Sequence, residues 1–192
     1  MTKRAVGIGL AALLISSLAR ADEPGAPAPQ DAAPAKGASA TSVEVAGDLP
    51  KTGALTVADL EALGPESAKW TLHGKTYAVV GVPLWKVLDK FGFSAGPMSK
   101  TMKPSEKRAG WKKVLVATAR DGFQAVFSCA ELFPTLGRTR ALLVFKMDGM
   151  PLPAETGPMR IAVLSDKEPS RSVYAVAKLQ VYDLGSVSEG NR

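Results

Sequence analysis

Residues 141–165 have the sequence ALLVFKMDGMPLPAETGPMRIAVLS. Two apolar runs flank a middle that is rich in turn-forming residues, with Asp-Gly at 148–149 directly after the first run and Gly-Pro at 157–158 just before the second. Asp-Gly between apolar runs favours a tight reversal, and Gly-Pro favours a loop. The pattern therefore predicts a strand, a tight turn, a loop and a second strand that begins at Arg160.

The chain begins with a segment that is typical of a secretory signal peptide. Lys3 and Arg4 precede an apolar run at 5–18, and the small-x-small triplet at 19–21 fits a signal peptidase site. We therefore expect residues 1–21 to be removed and the mature protein to be periplasmic or secreted. The apolar run is shorter than the roughly 18 to 20 residues that a membrane span needs, so we predict no span in the mature protein.

Composition divides the rest of the chain into a linker and a domain. Residues 22–41 consist almost wholly of Ala, Pro, Gly and single polar residues, which cannot bury enough apolar surface to order the backbone. They predict a disordered linker. Residues 42–192 number about 150, the usual size of a single domain.

The charge balance gives little support to nucleic-acid binding. The formal charge of the full chain is +6, and three of its 24 basic residues, but none of its 18 acidic ones, would leave with the signal, so the mature charge would be a mild +3. Export also removes the usual nucleic-acid targets, and the aromatic residues are not interleaved for base stacking. A basic stretch at 99–113 favours a solvated loop, and its alternative is a contact for an anion or an acidic partner.

Apolar spacing and turn residues predict mostly strands with a few short helices. Because the strands follow one another without regular alternation with helices, the expected class is α+β with mixed sheets. The predicted elements are a helix at 57–63, a hairpin within 69–82, a helix at 83–91 that Pro83 opens, paired strands at 113–119 and 123–127, a brief helix after Ser128 that Pro134 stops, and a closing strand at 173–182.

Three charged residues at predicted turns are candidates for binding a flat heterocycle. A pterin ring has donors on one edge, acceptors on another and a flat face, so a carboxylate suits the first edge and an arginine the second. Asp121, Arg160 and Arg171 supply these groups. Asp before Gly is commonly just a turn former, and either arginine could instead be a surface charge or brace a loop. Phe123 and Trp70 could stack on a ligand, but we expect core positions for both.

The chain offers few groups for metal binding or catalysis. Cys129 is its only cysteine and His73 its only histidine, so zinc sites with several histidines and His-based triads lack their usual members. We predict that Cys129 is a buried, inert thiol, although it is the only possible thiolate for a metal. We expect His73 to lie exposed at a hairpin turn.

The segment at 141–165 resembles the molybdopterin-binding domain of the sulfite oxidase family. That family has a strand rich in Leu or Ala, a Gly-x-Pro-Leu-Pro turn and a strand led by Arg in the last third of this domain. The resemblance is clearest over residues 114–181 and implies a sulfite oxidase-type fold. It also implies that Arg160, and Arg171 with the following Ser172, contact a pterin.

Two positions depart from the metal enzymes of the family. Glu155 stands where they carry a His, and Tyr174 stands where they carry a Lys. Losing a cation and gaining a carboxylate favours a neutral pterin over a phosphate-bearing cofactor. The Cys-Gly-Asn-type motif that holds the metal in the family also has no match in this chain. The resemblance therefore implies a small stand-alone member that binds pterin without a metal.

These observations lead to three functional hypotheses. The first is an exported, non-catalytic pterin-binding protein that acts as a ligand-dependent partner of another envelope protein and carries no tightly bound cofactor. The second is an oxidoreductase that depends on a molybdopterin cofactor, with Cys129 as the metal ligand. The third is a periplasmic protein-interaction module with a vestigial pocket.

Overall fold

The computed structural model describes residues 41–93 and 111–187, which form ten strands and several short helices. In chain order the elements are β1 (Ser42–Gly47), β2 (Gly53–Thr56), α1 (Val57–Ala62), β3 (Glu66–Leu72), β4 (Lys75–Pro83), α2 (Leu84–Lys90), β5 (Lys113–Ala119), β6 (Gln124–Ser128), α3 (Cys129–Leu132), β7 (Ala141–Met147), β8 (Met150–Pro151), β9 (Arg160–Val163), a 3₁₀ turn (Pro169–Arg171), β10 (Val176–Asp183) and α4 (Leu184–Val187).

The segment at 141–165 folds as its turn residues predict. Strand β7 is followed by a reversal in which Asp148 and Gly149 have positive φ values of 49° and 80°. The Asp148 carboxylate also accepts a 2.9 Å hydrogen bond from the backbone N–H of Ala78 in β4, which ties the turn to the neighbouring strand. Strand β9 begins at Arg160 and pairs antiparallel with β7, so that Arg160 lies opposite Val144.

The strands of the described residues form two sheets, the first mixed and the second wholly antiparallel. One has the order β2-β1-β10-β5-β6, and the other has the order β3-β4-β7-β8 with β9 also paired to β7. In the first sheet β1 and β10 are parallel although they lie at opposite ends of the domain sequence, while their other neighbours are antiparallel. The architecture is α+β with a few short helices, as predicted, and one of its two sheets is mixed.

Alternation along β7 and β9 divides the second sheet between two hydrophobic cores. Leu143 and Ile161 belong to the main core, which both sheets build. Their neighbours Leu142, Val144 and Ala162 belong to a smaller core on the other face. Successive side chains of a strand point to opposite faces, so a sheet can be buried on both sides. The second core is where the candidate site lies.

The helices begin at the predicted caps. Thr56 and Asp59 form a capping box at the start of α1, and the Ser128 N–H donates to Glu131 at the start of α3, which ends before Pro134. Pro83 differs from its prediction. It is the last residue of β4 and the N-cap of α2, because its backbone is still extended at ψ 134° and pairs with β7.

The closing strand begins later than predicted. We expected a strand from residue 173, but β10 begins at Val176 and Val173 forms only an isolated bridge with Ile161. The interruption has a local cause, because Ala175 adopts a left-handed conformation with φ 42° that a strand cannot contain. Residues 1–40 lie outside the described part of the chain, so the signal peptide and linker stay predictions. No helix of the described residues is long and apolar enough to cross a membrane.

Candidate functional site

Arg160 is a fully buried arginine on the face of the second core. It is 1% exposed and begins β9, where alternation places it on the same side as Ala162 of that core. The bridge between Ile161 and Val173 brings the chain after the 3₁₀ turn alongside β9. This pairing places Tyr174 next to Arg160.

Two aromatic rings contact the Arg160 guanidinium. Its central carbon lies 3.9 Å from the ring centroid of Tyr174 and 4.5 Å from that of Trp70, and both distances are within cation–π range. Trp70 is itself paired across the β3–β4 hairpin with Tyr77. Burial lowers the pKa of Arg160 from its ordinary value, and hydrogen bonding to Tyr174 partly offsets that shift. Arginine still keeps its proton in such sites, so a cation lies within an aromatic cluster.

Three buried polar atoms of this region have no hydrogen-bond partner among the described residues. They are Nε and Nη2 of Arg160 and Oγ of Ser172, which is 6% exposed. A buried polar group without a partner costs about 1–3 kcal/mol, and more when it is charged. Native proteins leave few such groups, so these atoms mark a position that suits a ligand with acceptor atoms.

A cavity of about 350 Å³ adjoins this cluster at the turn between β3 and β4. Its walls come from that turn and from the segment around the 3₁₀ turn, with the lining residues Leu72, His73, Glu168, Pro169, Ser170 and Tyr174. Tyr174 is 37% exposed, so it lines the cavity and contacts the buried guanidinium at once. Ala175, which follows it, has the strained φ of 42°, and such strain is common at ligand clamps.

Arg171, the second predicted pterin-binding arginine, has a different set of partners. Its Nε and Nη2 atoms donate to the two Asp166 oxygens at 2.8 Å and 2.7 Å, and Nη1 donates to Glu131 at 3.2 Å. Its guanidinium also lies 5.1 Å from the ring centroid of Phe127. These carboxylates raise the pKa of Arg171. Arg171 and Arg160 share none of these partners, so the contacts do not bring the two guanidinium groups onto one ligand position.

The remaining predicted turn residues are exposed. The Asp121 carboxylate accepts a 2.9 Å hydrogen bond from the Phe123 N–H, which is the bonding of a plain turn. Glu155 is exposed in the loop before β9. Arg120 braces that loop, because its Nη2 donates to the carbonyls of Ala154 and Gly157, each at 2.6 Å. Our prediction that Phe123 is a core residue was wrong, because its position after the turn leaves it 44% exposed.

Cys129 is buried in the main core, as predicted. It is 0% exposed, and burial raises the pKa of its thiol to about 12, although the charge of Lys113 opposes that shift. A metal is held by the thiolate, so this environment opposes metal binding. The described residues also contain no cluster of three or more His, Cys, Asp or Glu side chains that could hold a metal ion.

Three residues near the site were not predicted as part of it. Trp70 and Tyr77 could have been paired by counting outward from the two-residue turn at 73–74, which fixes the register of the hairpin. His73 was predicted to be exposed at that turn, and it is, with φ 49°. No local signal identified His73 as a cavity residue, because the opposite wall is formed almost 100 residues later in the chain.

The comparisons with known proteins give the fold and nothing finer. No protein-family model matches the chain, and no curated protein matches it. Among solved structures it is similar to the crystal structure of the sulfane dehydrogenase SoxCD from Paracoccus pantotrophus, with a TM-score of 0.50 and 20% identity. The match covers 74% of this chain but only 38% of that one, so this chain spans less than half of its length. The likeness supports a distant sulfite oxidase-like fold.

Proposed function

We propose that this chain is an exported, non-catalytic pterin-binding protein with a sulfite oxidase-type domain. The observation that carries the proposal is the buried Arg160 guanidinium, which has two unpartnered N–H donors beside a cavity that Tyr174 lines. A pterin presents a carbonyl oxygen and a ring nitrogen on one edge, and these acceptors suit two donors of one guanidinium. The cavity volume lies within the range of small-molecule sites.

In this proposal Tyr174 is the movable cover of the site. Both donors of Arg160 are buried beneath neighbouring groups, so a ligand reaches them only when the Tyr174 ring turns aside. The edge of the pterin then accepts the two hydrogen bonds in the plane of the guanidinium, which stays over Trp70, and Ser172 Oγ offers one further hydrogen bond. Because the ring of Tyr174 is partly exposed at the surface, its displacement would report ligand binding to an envelope partner.

A role for molybdopterin is supported less well. The family's metal needs a thiolate ligand, and the only thiol of this chain is buried in the main core with its pKa raised to about 12. The residues present therefore do not fit that metal centre. Elemental analysis of protein expressed with molybdate tests this alternative, and about one equivalent of bound molybdenum would favour the oxidoreductase.

Calorimetric titration of the protein without residues 1–21 tests pterin binding. We expect saturable binding of oxidised or reduced pterin, and we expect Arg160→Met to weaken it by about 2–3 kcal/mol, or roughly 30- to 150-fold, because it removes hydrogen bonds from a charged donor. Arg138→Met is the matched control. It makes the same substitution on the surface at Arg138, which does not line this cavity, and should leave the affinity unchanged.

The outcomes separate the hypotheses. If no pterin in either redox state gives heat or a thermal shift, the proposal is rejected. If pterin binds but Arg160→Met does not weaken it, the site has been assigned to the wrong residue. If no pterin binds and Arg160→Met leaves association with an envelope partner unchanged, the interaction module with a vestigial pocket becomes the better account.

A further inference from the structure

A second cavity lies at the opposite end of β3 from the His73 cavity. It has a volume of about 360 Å³ and is lined by Glu66 at the start of β3, by the junction of β4 and α2, and by the chain between α3 and β7. The His73 cavity includes Leu72 at the other end of the strand. Six residues of strand span roughly 20 Å, so the two cavities are separate sites.

The interior of the second cavity is apolar and has an aromatic wall. Pro83, Leu132 and Leu142 are buried and line it. Trp85 is half-buried and also lines it, and its ring lies 6.4 Å from that of Phe133. This neighbour packs against the indole. The cavity therefore offers a flat surface of the kind that small-molecule sites commonly use.

The rim of the cavity is positively charged. Arg138, Arg140 and Glu66 line it, and Arg140 donates to Glu66 at 3.1 Å. The opposite charges of Arg140 and Glu66 therefore offset each other. Within the described part of the chain, the Arg138 guanidinium forms no hydrogen bond or ion pair, so one exposed cation stands beside the apolar interior. A guanidinium with free donors suits a carboxylate, which it can bind through two parallel hydrogen bonds.

We propose that this cavity binds a small carboxylate with a flat apolar body, such as an arylalkanoic acid. The ring packs against Trp85 over the apolar interior, and the carboxylate bonds to Arg138 at the rim. A cavity of this volume accepts a single ring with a short chain and is too small for an extended ligand. The proposal does not depend on the pterin site, because the two cavities share no lining residue.

Titration with 3-phenylpropanoate, monitored by calorimetry and Trp fluorescence, tests the proposal. We expect saturable binding of the acid and binding at least about tenfold weaker for the uncharged 3-phenylpropanamide, because the amide loses the charged contact. Arg138→Met should weaken binding of the acid to a similar degree and abolish the preference for the acid over the amide. Arg160→Met is the matched control and should leave both affinities unchanged. An acetylated tripeptide with a free C-terminal Phe tests whether the carboxylate belongs to the end of a peptide. Tighter binding of this peptide than of the free acid would indicate that it does.

Three results would overturn the assignment. One is no saturable binding of either the acid or the free-carboxylate peptide. Another is equal affinity for acid and amide, which would remove Arg138 from the site. The third is a loss of acid binding in Arg160→Met with none in Arg138→Met, which would move the ligand to the other cavity. A failure of pterin binding alone leaves this proposal intact, since its ligand and its variant are different.

Discussion

Arg160 and Arg171 lie eleven positions apart, and both were predicted to hold the same ligand, yet their surroundings are opposite. Arg171 has carboxylate partners for all three of its guanidinium nitrogens and keeps about a third of its side chain exposed. Arg160 is 1% exposed, contacts two aromatic rings and has two nitrogens without a partner. The first arrangement is complete within the protein, whereas the second leaves two donors that the proposed pterin would satisfy.

The difference shows that the partners of a buried or half-buried guanidinium help to distinguish a structural arginine from a candidate binding arginine. Arg171 joins its own loop, through Asp166, to Glu131 of α3. Glu131 also accepts hydrogen bonds from the N-cap of α3 and from Thr139, so three segments are held together. A bound charge of this kind stabilises the loops that it joins. Arg160 instead carries an unfavourable desolvation cost that its contacts with Tyr174 and Trp70 offset only in part. In the proposed function, this cost is retained because the same group binds the ligand.

The largest expected effect contrasts the two arginines in stability. Arg171→Met should lower the free energy of unfolding by about 2 kcal/mol, because it leaves Asp166 without its cation and Glu131 with only neutral donors. The value is smaller than that for a fully buried pair because the site is partly solvated. Arg160→Met should change it by less than about 1 kcal/mol in either direction, because the lost cation–π contacts and the relieved desolvation oppose each other. Urea denaturation of the ligand-free protein measures both values.

The contrast fails if the order is reversed. Should Arg160→Met cost more than Arg171→Met without ligand, Arg160 would be a structural residue whose stacking outweighs its unpartnered atoms. Arg171→Lys provides a control within this comparison. It keeps the charge but loses the paired geometry to Asp166, so an intermediate loss is expected.

The local features of this fold were predictable from sequence, and the pairing of distant groups was not. The Asp-Gly turn at 148–149, the capping residue Thr56 and the stop at Pro134 act within a few positions of themselves, so pattern reasoning located β7, α1 and α3 correctly. The partners of Arg171 lie five and forty positions away. Their choice depends on how segments pack, and a motif carries no information about that.

The candidate site itself could be predicted only in part. The burial of Cys129 was predicted because a lone thiol behaves as a small apolar residue, and Arg160 was chosen as a candidate from its place after Gly-Pro. The aromatic cover from Trp70 and Tyr174 joins residues about 100 positions apart. Phe123 was misassigned because a single aromatic residue beside a turn can face either side of a hairpin, and burial of the whole sheet decides which.

A smaller effect is expected when the cover over Arg160 is removed. Tyr174→Ala should lower the free energy of unfolding by about 1 kcal/mol, because one cation–π contact is lost while water gains access to the guanidinium. The sharper readout is chemical labelling of arginine with phenylglyoxal, followed by mass spectrometry. Arg160 should resist labelling in the unchanged protein and react in Tyr174→Ala. Equal protection in both proteins would contradict the role of Tyr174 as the cover.

The smallest expected effect concerns a partnered charge at the surface, Asp59. Hydrogen bonds from Thr56, followed by Lys90, lower the pKa of its carboxyl from 3.8 to about 2. Because the folded pKa lies below the unfolded value, this stabilisation is complete above about pH 4 and is lost as the pH falls towards 2. Solvent screening keeps it below about 1 kcal/mol. In urea denaturation, Asp59→Asn should therefore flatten the loss of stability between pH 4 and 2. Lys90→Met should keep most of that pH-dependent loss, because the hydrogen bonds from Thr56 lower the pKa more than Lys90 does. If Lys90→Met flattens the profile as fully as Asp59→Asn, the ion pair rather than the cap holds this carboxylate.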